Sequence, residues 1–194
     1  LGLDPFETNL LENSYKSFVR SGAKLNDEQK KQYSAWVEEL SLLQLAYSKN
    51  VLAATNAYVL NLTDEADLAG LPEFVKSMGE STATEKGLEG WAFDLSAPSY
   101  GPCLKYSSRR DLREQIWKAY NSTALGGEFD NTELCTKIAE LRIKIANILG
   151  YNSHADYSIE NKMAKTSGNV MDFLDKLLQP TLPIAREEVA RIYA

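Results

Sequence analysis

The chain has 194 residues, 44% of them hydrophobic and 25% charged, enough apolar material for a sizeable core. A net charge of −6 argues against a nucleic-acid surface, since the basic residues gather only in short pairs such as Lys30-Lys31 and Arg109-Arg110. No apolar run approaches the roughly 20 residues that span a bilayer, and no membrane partner is expected. Asp4-Pro5 reads as a helix start, Asp as N-cap and Pro at the first helical position. Phe6, Leu10, Tyr15, Phe18 and Val19 give a helical stripe that Ser21-Gly22 ends. Asn26 caps a second helix, with Gln29 placed for a capping box. Tyr33, Trp36, Val37, Leu40, Leu43, Tyr47, Val51 and Leu52 then step by three and four, one apolar face over many turns.

The pattern changes over 57–63, where aromatic and β-branched residues precede a turn and predict a short strand. Leu71-Pro72-Glu73 opens a helix, and the small, polar residues from Gly79 to Gly90 predict a loop or a weak helix end. Trp91–Leu95 is a second strand candidate, and two short strands need each other's backbone groups, so a pair closed over the intervening helix is expected. Pro98 and Pro102 leave room for a short helix ending near Tyr106. Ser108 is read as the cap of the next helix, with Leu112, Ile116, Trp117 and Tyr120 inward.

Gly126-Gly127 is a link, and Asp130 with Glu133 reads as a capping box. Leu134, Ile138, Leu141, Ile145, Ile148 and Leu149 form a strong buried stripe, which Gly150 stops. Ser153 with Asp156 starts another helix, and Thr166 or Ser167 opens the last, with Val170, Phe173, Leu174 and Leu177 inward. Pro180 and Pro183 are expected to interrupt that tail before it resumes. The fold class is mainly α, a layered or bundle-like set of helices with one small two-stranded β pair, and residues 1–194 read as a single helical region.

The search for chemistry within the chain finds little. His154 is the only histidine, and at a helix start it reads as a surface or capping residue. Zinc sites take three or four N, S or O ligands, and His-Glu-x-x-His is absent. Cys103 and Cys135 have no metal-type spacing and read as reduced core residues, Cys135 on the apolar side of its helix. Either thiol, or a Ser-His-Asp set, would have to recruit His154 as base. Neither a Gly-Lys-Ser/Thr phosphate loop nor Gly-x-Gly-x-x-Gly occurs. Glu39, Asp111, Glu114 and Glu140 read as solvated faces beside Lys or Arg, and Arg142, flanked by core positions, is expected to pair with an acid and hold two helices together. No catalytic, cofactor-binding or metal-binding residue is assigned.

Several segments in order carry a resemblance: Phe18–Ala23, Asn50-Val51, Gly70-Leu71-Pro72-Glu73, and Leu95 with Pro98-Ser99-Tyr100 and Pro102. Arg110–Glu114, Ala119-Tyr120, Asp130-Asn131-Thr132 and Leu141-Arg142 with Ala146 follow. Leu149-Gly150-Tyr151, His154–Tyr157, Met163-Ala164-Lys165 and Phe173-Leu174 with Leu177 complete it. Over nearly its whole length the chain resembles the thimet-oligopeptidase-like zinc metallopeptidases of the M3 family, most of all the bacterial peptidyl-dipeptidases. It departs at Asn121-Ser122-Thr123, where the family often has Arg. The resemblance implies a piece of the largely helical N-terminal half of a larger enzyme, forming part of a channel wall that admits short peptides. The Zn2+ of such an enzyme would be held by a His-Glu-x-x-His helix and a further Glu lying C-terminal of this sequence. Oligopeptides would be its substrates, the remaining C-terminal half its partner, and the segment alone would be inactive. The Leu-Gly-Leu start, and an end inside a helical pattern at Ala194, are expected of a cut from a longer chain. Low cysteine use fits the cytoplasm, with the periplasm open if a leader was removed. The alternative reading is a stand-alone helical protein-interaction module without enzymatic activity.

Overall fold

A computed structural model describes residues 2–194. In chain order the elements are α1 (Pro5–Arg20), α2 (Asp27–Ala57), β1 (Leu60–Leu62), a 3-10 turn (Glu65–Leu68), α3 (Glu73–Glu85), β2 (Trp91–Phe93), α4 (Ala97–Tyr106), α5 (Arg110–Asn121), α6 (Thr132–Ile148), α7 (His154–Ile159) and α8 (Ser167–Tyr193). The mainly helical class with one small strand pair is the one expected. The chain divides into two compact units, residues up to Leu40 together with Ala139 onward, and Ser41–Ile138. The divisions fall inside α2 and α6.

The central unit is built on the strand pair. β1 and β2 run antiparallel with Leu60 opposite Phe93 and Leu62 opposite Trp91, and α3, which connects them, packs back on β2. Leu60, Leu62, Leu68, Leu71, Val75, Phe93, Leu95, Cys103 and Ile116 form one buried cluster. Gly79 lies inside α3 because a Cβ there would stand 2.8 Å from Phe93 Cζ. The small residues read as a loop signal are therefore helical up to Glu85, the glycine being the price of a close helix-to-strand approach. Gly90 has φ +78° and a Cβ there would collide with the Leu62 carbonyl oxygen, so both backbone conformation and space demand glycine at the entry to β2.

Caps decide most helix starts. Asp4 and Glu7 make a reciprocal capping box, as do Asn26 and Gln29, whose two bonds measure 3.1 and 2.8 Å. Thr166 caps α8 by accepting from the Asn169 N–H at 3.2 Å. Two expected caps differ. α5 starts after Arg109, not Ser108, whose N–H donates to the Ala69 carbonyl at 2.8 Å. At α6 the Asp130 carboxylate accepts from the Thr132 N–H and hydroxyl and from the Gly126 N–H, a turn closure and not a box with Glu133.

Burial follows the expected stripes on α2 and α6. Tyr33, Trp36, Val37, Leu40, Leu43 and Val51 are half-buried, although Tyr47 and Leu52 are exposed. Ile138, Leu141 and Ile145 are buried. Elsewhere the expectations fail. On α5 Ile116 is buried and Leu112 packs against the core as expected, but Trp117 is 53% and Tyr120 43% exposed, since residues one apart on a helix point about 100° apart. Cys135 is exposed, not core, being one position off the Leu134–Ile138 stripe. On α8, Val170 is half-buried but Phe173, Leu174 and Leu177 are exposed. That helix also runs unbroken through Pro180 and Pro183. Proline's fixed φ is helical, and the carbonyls of Lys176 and Gln179 that lose their partners lie on exposed residues open to water.

Candidate functional site

Within the unit that contains both chain ends, polar chemistry converges on Arg20, in the last turn of α1. Its guanidinium donates to the Tyr151 hydroxyl at 3.2 Å, to the Glu160 carboxylate, and to the Tyr157 carbonyl at 2.7 Å. It also lies over the Tyr157 ring, 4.2 Å from the centroid, a cation–π contact strengthened by low solvent access. The Tyr151 hydroxyl donates to the same Glu160 oxygen at 2.6 Å, and the rings of Tyr151 and Tyr157 meet edge to face at 5.2 Å. The side chain of Arg20 is 13% exposed and that of Glu160 42%.

The electrostatics follow the geometry. Burial pulls the Arg20 guanidinium down, but Glu160 and the two tyrosines outweigh it and the net shift is upward. The Tyr151 hydroxyl, followed by Arg20, holds the Glu160 carboxyl below the usual range against its desolvation. Tyr151 itself is pushed up, first by burial and then by Glu160. Arginine and glutamate therefore stay ionised around neutrality, a fixed charge pair suited to holding backbone and not to passing protons.

The residues singled out from the sequence fall elsewhere. His154 opens α7 and is half-buried, its Nε2 3.3 Å from the Ser158 hydroxyl and its Nδ1 buried without a hydrogen-bond partner. Burial, and then the charge of Arg142, lower its pKa, so the ring is neutral at pH 7. Arg142 meets no acid within ion-pair distance among the described residues, and its charge instead acts on this histidine. The helix-joining cation is Arg20, which reading for core-flanked charges missed. Its place in the Phe18–Ala23 match was the available signal. Asp111 and Glu114 do pair locally, with Arg109 at 2.7 Å and Lys118 at 2.6 Å.

Neither thiol is placed for nucleophilic work. Cys103 is buried in the apolar cluster, and desolvation, reinforced by Asp94, pushes it up to about 12. Cys135 is free on the surface. Among the described residues no group of three or more His, Cys, Asp or Glu could hold a metal ion, and no helix is long and apolar enough to cross a membrane.

Comparison with known proteins gives one consistent direction. The pattern of peptidase family M3 matches residues 103–194. The chain is 36% identical to oligopeptidase A of Haemophilus influenzae over 94% of its own length and 28% of the relative's. It is 34% identical to oligopeptidase A of Escherichia coli, covering 99% of the chain and 29% of the relative. Against the dipeptidyl carboxypeptidase of Escherichia coli the identity is 29%, over the whole chain and 29% of the relative. The chain thus spans less than a third of the length of these relatives.

Proposed function

The chain belongs to peptidase family M3, and from that membership we propose that it is the non-catalytic, helical N-terminal part of a zinc-dependent peptidase that hydrolyses short peptides. The observation that carries this is identity of 36% sustained over 94% of the chain. A match confined to one helix would be weaker support. The larger protein would bind oligopeptides, and this segment would form part of the wall of their channel and meet the remaining half of the same protein. Exposed apolar side chains on α1 and α8, among them Phe6 at 86% and Phe173 at 60%, fit surfaces covered by further polypeptide.

The residues present do not fit a zinc site: His154 stands without two further ligands, and its free Nδ1 is buried. Zinc in this reading is held by residues outside the sequence, and no catalytic step is assigned to any residue within it. On identity the larger protein is read as nearer the relatives named oligopeptidase A, at 36% and 34%, than the one named dipeptidyl carboxypeptidase, at 29%.

The test is to express the full open reading frame and the 194-residue chain separately and assay both on a mixed set of unmodified oligopeptides, with products read by mass spectrometry. The expected result is chelator-sensitive cleavage by the full product and none by the chain alone. Cleavage by the chain alone would overturn the non-catalytic assignment. A full product that encodes no His-Glu-x-x-His and cleaves nothing would leave the stand-alone interaction module in its place.

A further inference from the structure

Beside the Arg20 cluster lies a cavity of about 420 Å³, walled by α1 and by the segment from Tyr157 to Lys165. Three cations line it, Lys16, Arg20 and Lys165, against one carboxylate, Glu160. The local balance is two positive charges in a chain whose net charge is −6. Lys16 and Lys165 stand in no ion pair among the described residues. Arg20 has five N–H donors, of which three are used, two on one terminal nitrogen for Tyr151 and Glu160 and one on the other for the Tyr157 carbonyl. One N–H of that second nitrogen and the Nε–H remain open.

The remaining wall is the side chains of Asn13, Ser17, Ser21 and Asn161 together with Tyr157. Most of this wall is polar, and Glu160 is the carboxylate set against its three cations. Lys165 is carried with φ +66°, in the left-handed region that a non-glycine residue occupies only when its surroundings hold it there. Lys16 is one helical turn before Arg20 and so lies on the same face of α1.

We propose that this cavity is a binding site for a small free phosphate ester, the phosphate group seated among Lys16, Lys165 and the open N–H groups of Arg20. A phosphate monoester carries close to two negative charges near neutral pH, so one group balances the local surplus. A single carboxylate would leave one cation unmatched. Lysines bind phosphate as point charges and arginine through its planar fork. Ser17 and Asn161 supply hydrogen bonds for the hydroxyls of the esterified part.

The test uses the full-length protein and inorganic phosphate as the probe, followed by the broadening of its ³¹P resonance at physiological ionic strength. Broadening should appear, be reversed by excess sulfate, and resist an equal ionic strength of acetate. In the double variant Lys16→Gln/Lys165→Gln the apparent affinity should fall by about tenfold or more, the scale of a lost charge-assisted contact. Both lysines are exposed, so the fold tolerates the change, and circular dichroism of the variant confirms it. No broadening in the unaltered protein, equal displacement by acetate, or an unchanged titration in the double variant would each overturn the site.

Discussion

The guanidinium of Arg20 stacks on the ring of Tyr157 and donates to that residue's own carbonyl at 2.7 Å, across 137 positions of sequence. One side chain at the end of α1 thereby holds the backbone of α7. Replacing it removes a cation–π contact and three hydrogen bonds together. Arg20→Ala is expected to destabilise the protein by about 1–3 kcal/mol, less than breaking a fully buried pair, because the Glu160 side chain is 42% exposed. Arg20→Lys should recover only part of this, since an ammonium lacks the fork that reaches Glu160 and the carbonyl at once. Urea midpoints of the unaltered protein and the two variants decide it. A midpoint for Arg20→Lys equal to that of the unaltered protein would dispose of the geometric account.

Glu160 and His154 both make stability fall as the pH drops. Glu160 is held below its unfolded value, chiefly by the Tyr151 hydroxyl, so its contribution is present above the ordinary glutamate pKa of about 4.3 and is lost as pH falls through the folded value. His154 is lowered by burial and then by Arg142, so its protonation opposes folding as pH drops below about 6.5. Stability should therefore decline on acidification in two stages. His154→Gln should flatten the upper stage and Glu160→Gln should shrink the lower one, to which Asp111, Glu114 and Asp130 also contribute, as thermal midpoints measured from neutral pH down to about pH 3 would reveal.

Gly79→Ala places a methyl group 2.8 Å from the buried ring of Phe93. The expected cost is about 1–3 kcal/mol from overpacking. Combining it with Phe93→Leu should cost less than the sum of the two single changes, because the smaller side chain vacates the collision. At Gly90 the obstacle is the Leu62 backbone and the φ is +78°, so Gly90→Ala should find no such rescue. Strict additivity at 79 and 93 would contradict this packing.

The two cysteines should separate cleanly in a thiol titration with a colorimetric disulfide reagent at mildly alkaline pH. Cys135 is exposed and should react at once. Cys103, buried and pushed up to about 12, should react only as the protein unfolds. Two fast thiols in the folded protein would mean that the cluster of Cys103, Phe93 and Ile116 is open to solvent.

Several helix starts, both strands and the long stripes of α2 and α6 are legible in the sequence, because caps and periodicity act over three or four residues. Asn26 with Gln29 and Ser153 with Asp156 are local chemistry, and both form as written. Family membership is equally legible, carried by residue order and not by any reactive group. Inferences about which neighbour a side chain meets are the ones that fail. Arg142, expected to find an acid, faces His154, while Arg20, unremarkable as a charge in the sequence, gathers Glu160, Tyr151 and Tyr157.

By itself, then, the sequence determined helical class, element order and family. Only the tertiary structure decided that Gly79 seats a strand against a helix, that the α8 prolines leave their helix intact, and that three cations share one cavity with a single carboxylate. The physical reason is range. Backbone propensity and capping are settled within one helical turn, whereas burial, pairing and charge balance depend on groups brought together across more than a hundred residues of chain, and no local pattern encodes them.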